Sequence, residues 1–349
     1  MKNGAMKNDA GYTLVELVVA AALMLTVTAG IFSMLADGLG RSALWQETAD
    51  LHQRARVALD VVAAELLAAG AGAASGPLNL FLPPVEPRRQ GSGLSINAVT
   101  VRYVPDNAAA SVLTSDLAPD GLSATVAIQS GCQLGAEACG FTSEMDVVLF
   151  DGSGNWDMST VESATGATVT LTNVGGSRSV TYSAGARIVQ VTATTLFADA
   201  AVRQLRRERP GGGALPVVDD FIDLQLSYFG DPLPPAAPVP PPGVANCLFT
   251  SSGDRIPRPV LPADHGGLAT LPLSMLQDGP FCGAGERSYD VDLLRIRSVR
   301  ATMRLQSGAD ALRGQDWRLF ARPGSATLME RMVPDAVLSI ELTPRNLQR

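Results

Sequence analysis

Four cysteines, two histidines and a few clustered carboxylates are the residues of this chain whose types suit site chemistry. The cysteines are Cys132, Cys139, Cys247 and Cys282. No C-x-x-C pair occurs, and the only histidines are His52 and His265, so the ligand spacing of a zinc site is missing. Disulfides are the natural use of such thiols in an oxidising compartment, and four thiols allow three pairings. The short loop Gln133–Ala138 keeps its ends close, which favours Cys132–Cys139 together with Cys247–Cys282. Oxygen ligands alternate along Asp151, Ser153, Asn155 and Asp157, with Glu162 beyond, as in a calcium loop. Trp156 occupies the position where that loop needs glycine, and the residues before it read as a strand. A turn rich in Asp, Gly and Asn is therefore the simpler reading, and no metal is expected.

Catalytic constellations are not evident. Two histidines far apart leave a Ser-His-Asp arrangement little to work with, and no Gly-rich loop ends in Lys-Ser/Thr. The pair Asp219–Asp220 has no spacing that marks acid–base work. The chain therefore reads as no enzyme, with no cofactor. A net charge of −7 argues against a broad nucleic-acid surface. The basic run Arg203, Arg206, Arg207 and Arg209 reads as a solvated strand end, so no specific nucleic acid is expected.

One further carboxylate, Glu16, stands directly before a largely apolar run from Leu17 to Ala36. Lys2 and Lys7 precede it in a short basic head. About 20 residues of helix cover roughly 30 Å, enough to cross a bilayer. A carboxylate in or near hydrocarbon is costly, about 2.5–3.5 kcal/mol at the centre, and so implies a function. The span is too long for a cleaved secretory signal, and no Ala-x-Ala site follows it closely.

The segment Gly11-Tyr12-Thr13-Leu14-Val15-Glu16 and the apolar residues after it resemble the prepilin signal of type IV pilins and type II secretion pseudopilins. The resemblance implies that a membrane peptidase cuts after Gly11 and methylates Tyr12 as the new N-terminus. It makes Glu16 the acidic residue that pairs with the Tyr12 amine of a neighbouring subunit. Tyr12 stands where the family usually has phenylalanine. The implied parts are a leader at 1–11, a transmembrane or filament-core half-helix at 12–36, and an amphipathic half-helix at 37–70. A β-rich periplasmic or extracellular domain follows at 71–349, with a Pro-rich loop at 231–243.

The amphipathic half is legible from the residues alone. Leu44, Leu51, Ala55, Leu59, Val62 and Leu66 recur at helical spacing, and Gly70, Gly72 and Gly76-Pro77 end the run. No proline falls between Tyr12 and Gly76, so the helix is expected to run about 58 residues, roughly 87 Å. Gly30 and Gly38 are the points where it could bend. Beyond Gly91, short β-branched runs predict strands at Ala98–Val104, Ala124–Gln129, Met145–Phe150, Thr168–Val174, Arg187–Thr192, Leu196–Arg206, Asp223–Phe229, Val299–Leu305, Trp317–Ala321 and Ala336–Leu342. Tyr289–Arg297 reads as a helical start, and Gly211–Gly213 as a hairpin loop. The prolines from Pro232 to Pro242 read as a mobile or polyproline-like loop. The expected fold is α+β and pilin-like: a long N-terminal helix packed on an antiparallel β-rich domain with large loops.

A looser resemblance joins Leu51–Gly70, Asp219–Tyr228 and Leu342–Leu347 to PilW-type minor pilins. It implies a role in pilus assembly or initiation. The implied partners are the prepilin peptidase, other major and minor pilins, the inner-membrane assembly platform and the membrane. The implied location is the inner membrane, single-pass with the C-terminal domain periplasmic, and afterwards the pilus at the cell surface. A pilus-mounted adhesin or ligand-binding module, or a type II secretion pseudopilin, is the alternative.

Overall fold

The computed structural model describes residues 13–73, 78, 82–90, 93–128, 140–152, 155–173, 178, 180–209, 212–237, 239–282 and 289–347. One helix, α1, runs Leu14–Ala68, 55 residues without a break at Gly30 or Gly38. From Leu14 to Leu35 its side chains are exposed all round, so this half has no packing partner among the described residues. Farther on, Leu51, Ala55, Ala58, Val62 and Leu66 form a buried stripe. Ala58 rather than Leu59 lies at its centre, because Leu59 turns toward the stripe's edge. Left-handed backbone ends the helix at Gly70 (φ 70°) and Gly72 (φ 67°). A Cβ on Gly72 would stand 2.3 Å from the Val104 carbonyl oxygen, so only glycine fits there. The turn is laced down by Gly70 N–H donating to Arg102 O and by Val104 N–H donating to Ala71 O.

The chain divides into two compact units. One holds Gln53–Gln306 and Ala336–Arg349. Its strands begin with the antiparallel pair β1 (Val85–Gln90) and β2 (Gly93–Tyr103). The next six strands are β3 (Ala110–Val112), β4 (Ser123–Thr125), β5 (Asp146–Phe150), β6 (Trp156–Thr165), β7 (Thr168–Asn173) and β8 (Arg187–Gln190). They close among themselves into a six-stranded sheet ordered β3-β8-β5-β6-β7-β4. That sheet has its own apolar centre, including Phe141, Val147, Leu149, Leu171 and Ile188. It is a β-rich insertion, because β9 (Thr192–Asp199) pairs directly back onto β2. Next to β9 come β10 (Gln204–Glu208) and β11 (Leu215–Asp219), completing the sheet β1-β2-β9-β10-β11.

The remaining strands are β12 (Phe221–Gly230), β13 (Ala269–Leu271), β14 (Phe281–Cys282), β15 (Tyr289–Asp290), β16 (Ile296–Leu305) and β17 (Ala336–Leu342). They form the sheet β13-β12-β16-β17 and the pair β14-β15. β12 lies against β2 and β9 and pairs with β16, and Val99 and Val101 of β2, Leu196 of β9, Leu224 of β12 and Val299, Ala301 and Met303 of β16 are buried. The amphipathic half of α1 joins this unit through ion pairs Arg54–Asp220 (3.3 Å) and Glu65–Arg207 (3.4 Å).

The other unit holds Met1–His52 and Ser307–Asp335. The second of these segments contains no strand, so the strand expected at Trp317–Ala321 is a turn instead. Asp316 organises it: its carbonyl accepts from Leu319 and Phe320 N–H, and its side chain accepts from Arg318 N–H. Cross-links between Leu312 and Val333 (2.8 Å) and between Arg313 and Ser307 (2.9 Å) close the segment. Two other expectations need correction, and one strand is additional. Leu196–Arg206 is two strands, turned at Arg203 in the left-handed region (φ 55°). The strand expected at Ala124–Gln129 is only the short β4. β6 was unforeseen, hidden behind the Asp- and Gly-rich turn that precedes it.

The edge strand β17 is held by charge as well as by its ladder. The Glu341 carboxylate accepts from Arg300 (3.1 and 2.7 Å) and lies 2.7 Å from His265 Nε2. These bonds, His265 first and then Arg300, hold its carboxyl below the usual range. A carboxylate with a lowered folded pKa stabilises fully above its unfolded pKa of about 4.3 and loses that contribution as pH falls through the folded value. Unfolding titrations should therefore show wild type more stable than Glu341→Gln near neutral pH. The difference should start to shrink as pH falls below about 4.3 and vanish once pH is well below the lowered folded pKa; a gap that persists in strong acid would show that the charge is not its source.

Candidate functional site

The amino end of α1 is the first candidate. Thr13 is its N-cap: Thr13 Oγ1 accepts from Glu16 N–H at 3.3 Å. In return Glu16 Oε2 lies 3.5 Å from both Thr13 N and Thr13 Oγ1. This reciprocal arrangement is a capping box, legible as Thr13-x-x-Glu16, and sequence reasoning passed over it in favour of an intersubunit role. Glu16 also lies in the first turn, where the helix macrodipole favours a negative charge. Gly11 and Tyr12 lie outside the described residues.

The apolar half that follows has a mean hydropathy of 2.2 over its best window and none of that window is buried. It is long and apolar enough to cross a membrane. The same surface can be covered by other helices of its own kind, since both environments satisfy a helix that is hydrophobic all round.

The second candidate is a corner of the larger unit. Cys247 and Cys282 form a disulfide, one of the two pairs the spacing favoured. Cys282 lies on β14 opposite Tyr289 of β15, and Phe281 lies opposite Asp290. Asp290 then caps the 3-10 turn Val291–Arg295 by accepting from Asp292 N–H at 2.7 Å. The carboxylates of Asp278, Asp290 and Asp292 lie within 4.8 Å of one another. The Arg258 guanidinium sits among them, paired with Asp278 and Asp292 and 3.9 Å from Asp290. Arg295 adds a second cation, 3.1 Å from Asp292 with both side chains fully buried. Burial, and then the neighbouring Arg258 charge, pull the Arg295 guanidinium down to about 10, which still leaves it charged at neutral pH. Two arginines thus fill the space that a divalent cation would need, and the corner works as an ion-paired staple. None of these five residues was singled out from sequence, because they are spread over a long segment without a periodic spacing.

The corner also holds the start of the Pro-rich loop. Arg295 donates to the carbonyls of Asp231 (2.9 Å) and Pro232 (2.5 Å), and Arg255 donates to Pro234 O (2.8 Å). Leu261 N–H donates to Pro232 O as well. The loop expected to be mobile is therefore tied down at this end by guanidinium groups.

Of the residues with calcium-like spacing, Asp151, Asn155 and Asp157 are described, and Asp157 has a partner of its own. Asp151 accepts from Asn155 through both carboxylate oxygens (3.1 and 2.9 Å), which closes a turn. Asp157 is buried on β6 and accepts from the Tyr182 hydroxyl at 2.8 Å. Ser153 lies outside the described residues, as do Cys132 and Cys139.

Among known families, the description "Prokaryotic N-terminal methylation motif" matches residues 6–32. The window contains Gly11, Tyr12 and Glu16 and supports processing of the kind that pilins and pseudopilins undergo. No curated protein and no solved structure matches the chain.

The buried corner makes a stability prediction. Asp292→Asn leaves two guanidinium groups undercompensated in a dry site, which should cost about 3–5 kcal/mol. Asp278→Asn, at a half-exposed carboxylate, should cost no more than about 1 kcal/mol. Denaturant midpoints of the full-length variants check the contrast, and equal losses would refute the role given to Asp292.

Proposed function

We propose that this chain is a minor pilin, PilW-like, that is processed by a prepilin peptidase and taken into a type IV pilus at assembly or initiation. The single observation that carries this reading is the methylation motif at 6–32 lying on the amino end of a helix whose apolar half is wholly uncovered. Such a helix needs lipid first and helices of other subunits afterwards. The disulfide suits an exported domain, so the β-rich part belongs outside the cytoplasmic membrane. The peptidase cuts after Gly11 and methylates the Tyr12 amine, which stays cationic. Major and minor pilins and the assembly platform are then the partners.

Glu16 has the central role. Its two contacts to Thr13 are long, at 3.5 Å, and are weak hydrogen bonds. They shelter the carboxylate in the isolated subunit without locking it. In the filament core, the Tyr12 amine of an adjoining subunit offers a full ion pair instead, and that exchange sets the axial stagger.

Gly11→Phe should leave an uncut precursor, seen as a larger species by mass spectrometry of the membrane fraction; efficient cutting would remove the processing claim. Glu16→Gln separates the two uses of the side chain, since glutamine also completes a capping box but has no charge. It should be cut normally, remain in the membrane and fail to enter filaments. Normal incorporation of that variant would eliminate the ion pair.

A further inference from the structure

We propose that the Ser307–Asp335 segment seats on the surface of the membrane that the helix of its own unit crosses, with Trp317, Leu328 and Met329 entering the boundary between headgroups and acyl chains. This rests on reading Leu14–Leu35 as the membrane-spanning part.

The chain has three tryptophans. Trp156 is buried on β6, whereas Trp45 and Trp317 are 74% and 76% exposed, and both belong to the unit that carries the apolar span. Exposed tryptophan suits a membrane interface, where its ring is half in hydrocarbon and its N–H stays wet. Leu328 and Met329 are adjacent and 59% and 77% exposed. They are not residues of an unformed core. Phe320 and Val333 are already buried, and backbone bonds from Ser325 to Asp310 and from Ala326 to Arg313 fix the segment. A folded segment that keeps three large apolar side chains outside offers them to a partner.

The tether has the right reach. Gly308 N–H donates to Glu47 Oε1 at 2.9 Å. Glu47 stands about 18 Å along the helix from Leu35, and the headgroup layer is about 5–7 Å thick on each side. The folded Ser307–Asp335 segment is about 20 Å across by the size scaling of compact chains, which covers the remaining distance. Arg318 lies over the Trp317 ring, 5.6 Å from its centroid, so an inserted indole carries its own cation at headgroup level.

Charge chooses the kind of surface. The segment balances Arg313, Arg318, Arg322 and Arg331 against Asp310, Asp316, Glu330 and Asp335, while the whole chain is at −7. Apolar insertion, not attraction to anionic lipid, is then the driving term, and a zwitterionic bilayer suffices.

The test uses the full chain in phosphatidylcholine vesicles with bromine on the acyl carbons nearest the headgroup. Wild type should show emission quenched by brominated lipid, and Trp317→Phe should lose a clear part of that quenchable signal, equally at low and high salt. A separate reporter, Phe32→Trp placed in a Trp45→Phe, Trp317→Phe background, reads the span itself about 5 Å from its Leu35 end, at the depth of the bromine. Quenching of that reporter with no quenchable signal from Trp317 overturns the proposal and leaves the anchor intact. No quenching of either overturns both. Shielding of Trp317 from aqueous iodide that grows with protein density, without lipid quenching, would assign the surface to a second copy of the chain and overturn the membrane reading.

Discussion

A helix that is apolar on every side cannot be left in water, and this constraint organises the rest of the molecule. The large side chains from Leu14 to Leu35 are all exposed in the chain by itself. Each gains about 1.5–3 kcal/mol when fully removed from water. A handful of them outweighs the ~5–15 kcal/mol that holds a typical domain folded. The cover must therefore come from outside, as lipid or as other helices. Function follows from which of the two is present.

The same rod then runs into a β-rich domain. From Leu51 to Leu66 the apolar residues collapse to one stripe, while Arg54 and Glu65 turn to Asp220 and Arg207. No proline interrupts the passage from one regime to the other, and α1 remains a single helix. It ends where Gly72 presses against the Val104 carbonyl, a contact that no side chain would allow. The domain beyond it carries long loops, and loops cost conformational entropy. A disulfide closing a 35-residue separation offsets roughly 3–4 kcal/mol of that cost in the chain-entropy account. The Arg258 and Arg295 network fixes the same corner and ties the proline-rich segment to it.

Much of this was legible where one physical rule acts alone. Ala336–Leu342 alternates over an uninterrupted run and forms β17 with those bounds. The stop at Gly70 and Gly72 follows from left-handed backbone. Other parts were not legible because two rules compete. Leu196–Arg206 has strand-forming residues throughout, and its turn contains neither glycine nor proline; Arg203 adopts the left-handed region because the pairing of β9 with β10 requires it. Trp317–Ala321 has strand-like composition, but the Asp316 side chain captures the backbone first. Asp157 looked like a metal ligand by spacing, yet the pleat of β6 sends it inward to Tyr182. The charged corner could not be read at all, since only folding brings Arg258 to Asp278 and Asp292.

On the proposed reading, Glu16 serves two states with opposite demands, the free subunit and the filament. A bare carboxylate at the edge of hydrocarbon is unfavourable, and so are the unpaired N–H groups of a first helical turn. The capping box answers both at once, because the carboxylate faces the donors that most need an acceptor. An intramolecular partner must not bind too well, however, or no subunit would exchange it for a neighbour. Contacts at 3.5 Å to a neutral amide and a hydroxyl meet that condition, because they lie beyond the usual hydrogen-bond range, whereas a cationic amine would add a full opposite charge. A shorter internal ion pair at this position would have made the free subunit more comfortable and the filament less favoured. In the proposed filament, the weakness of the cap would leave the carboxylate available for the neighbouring amine.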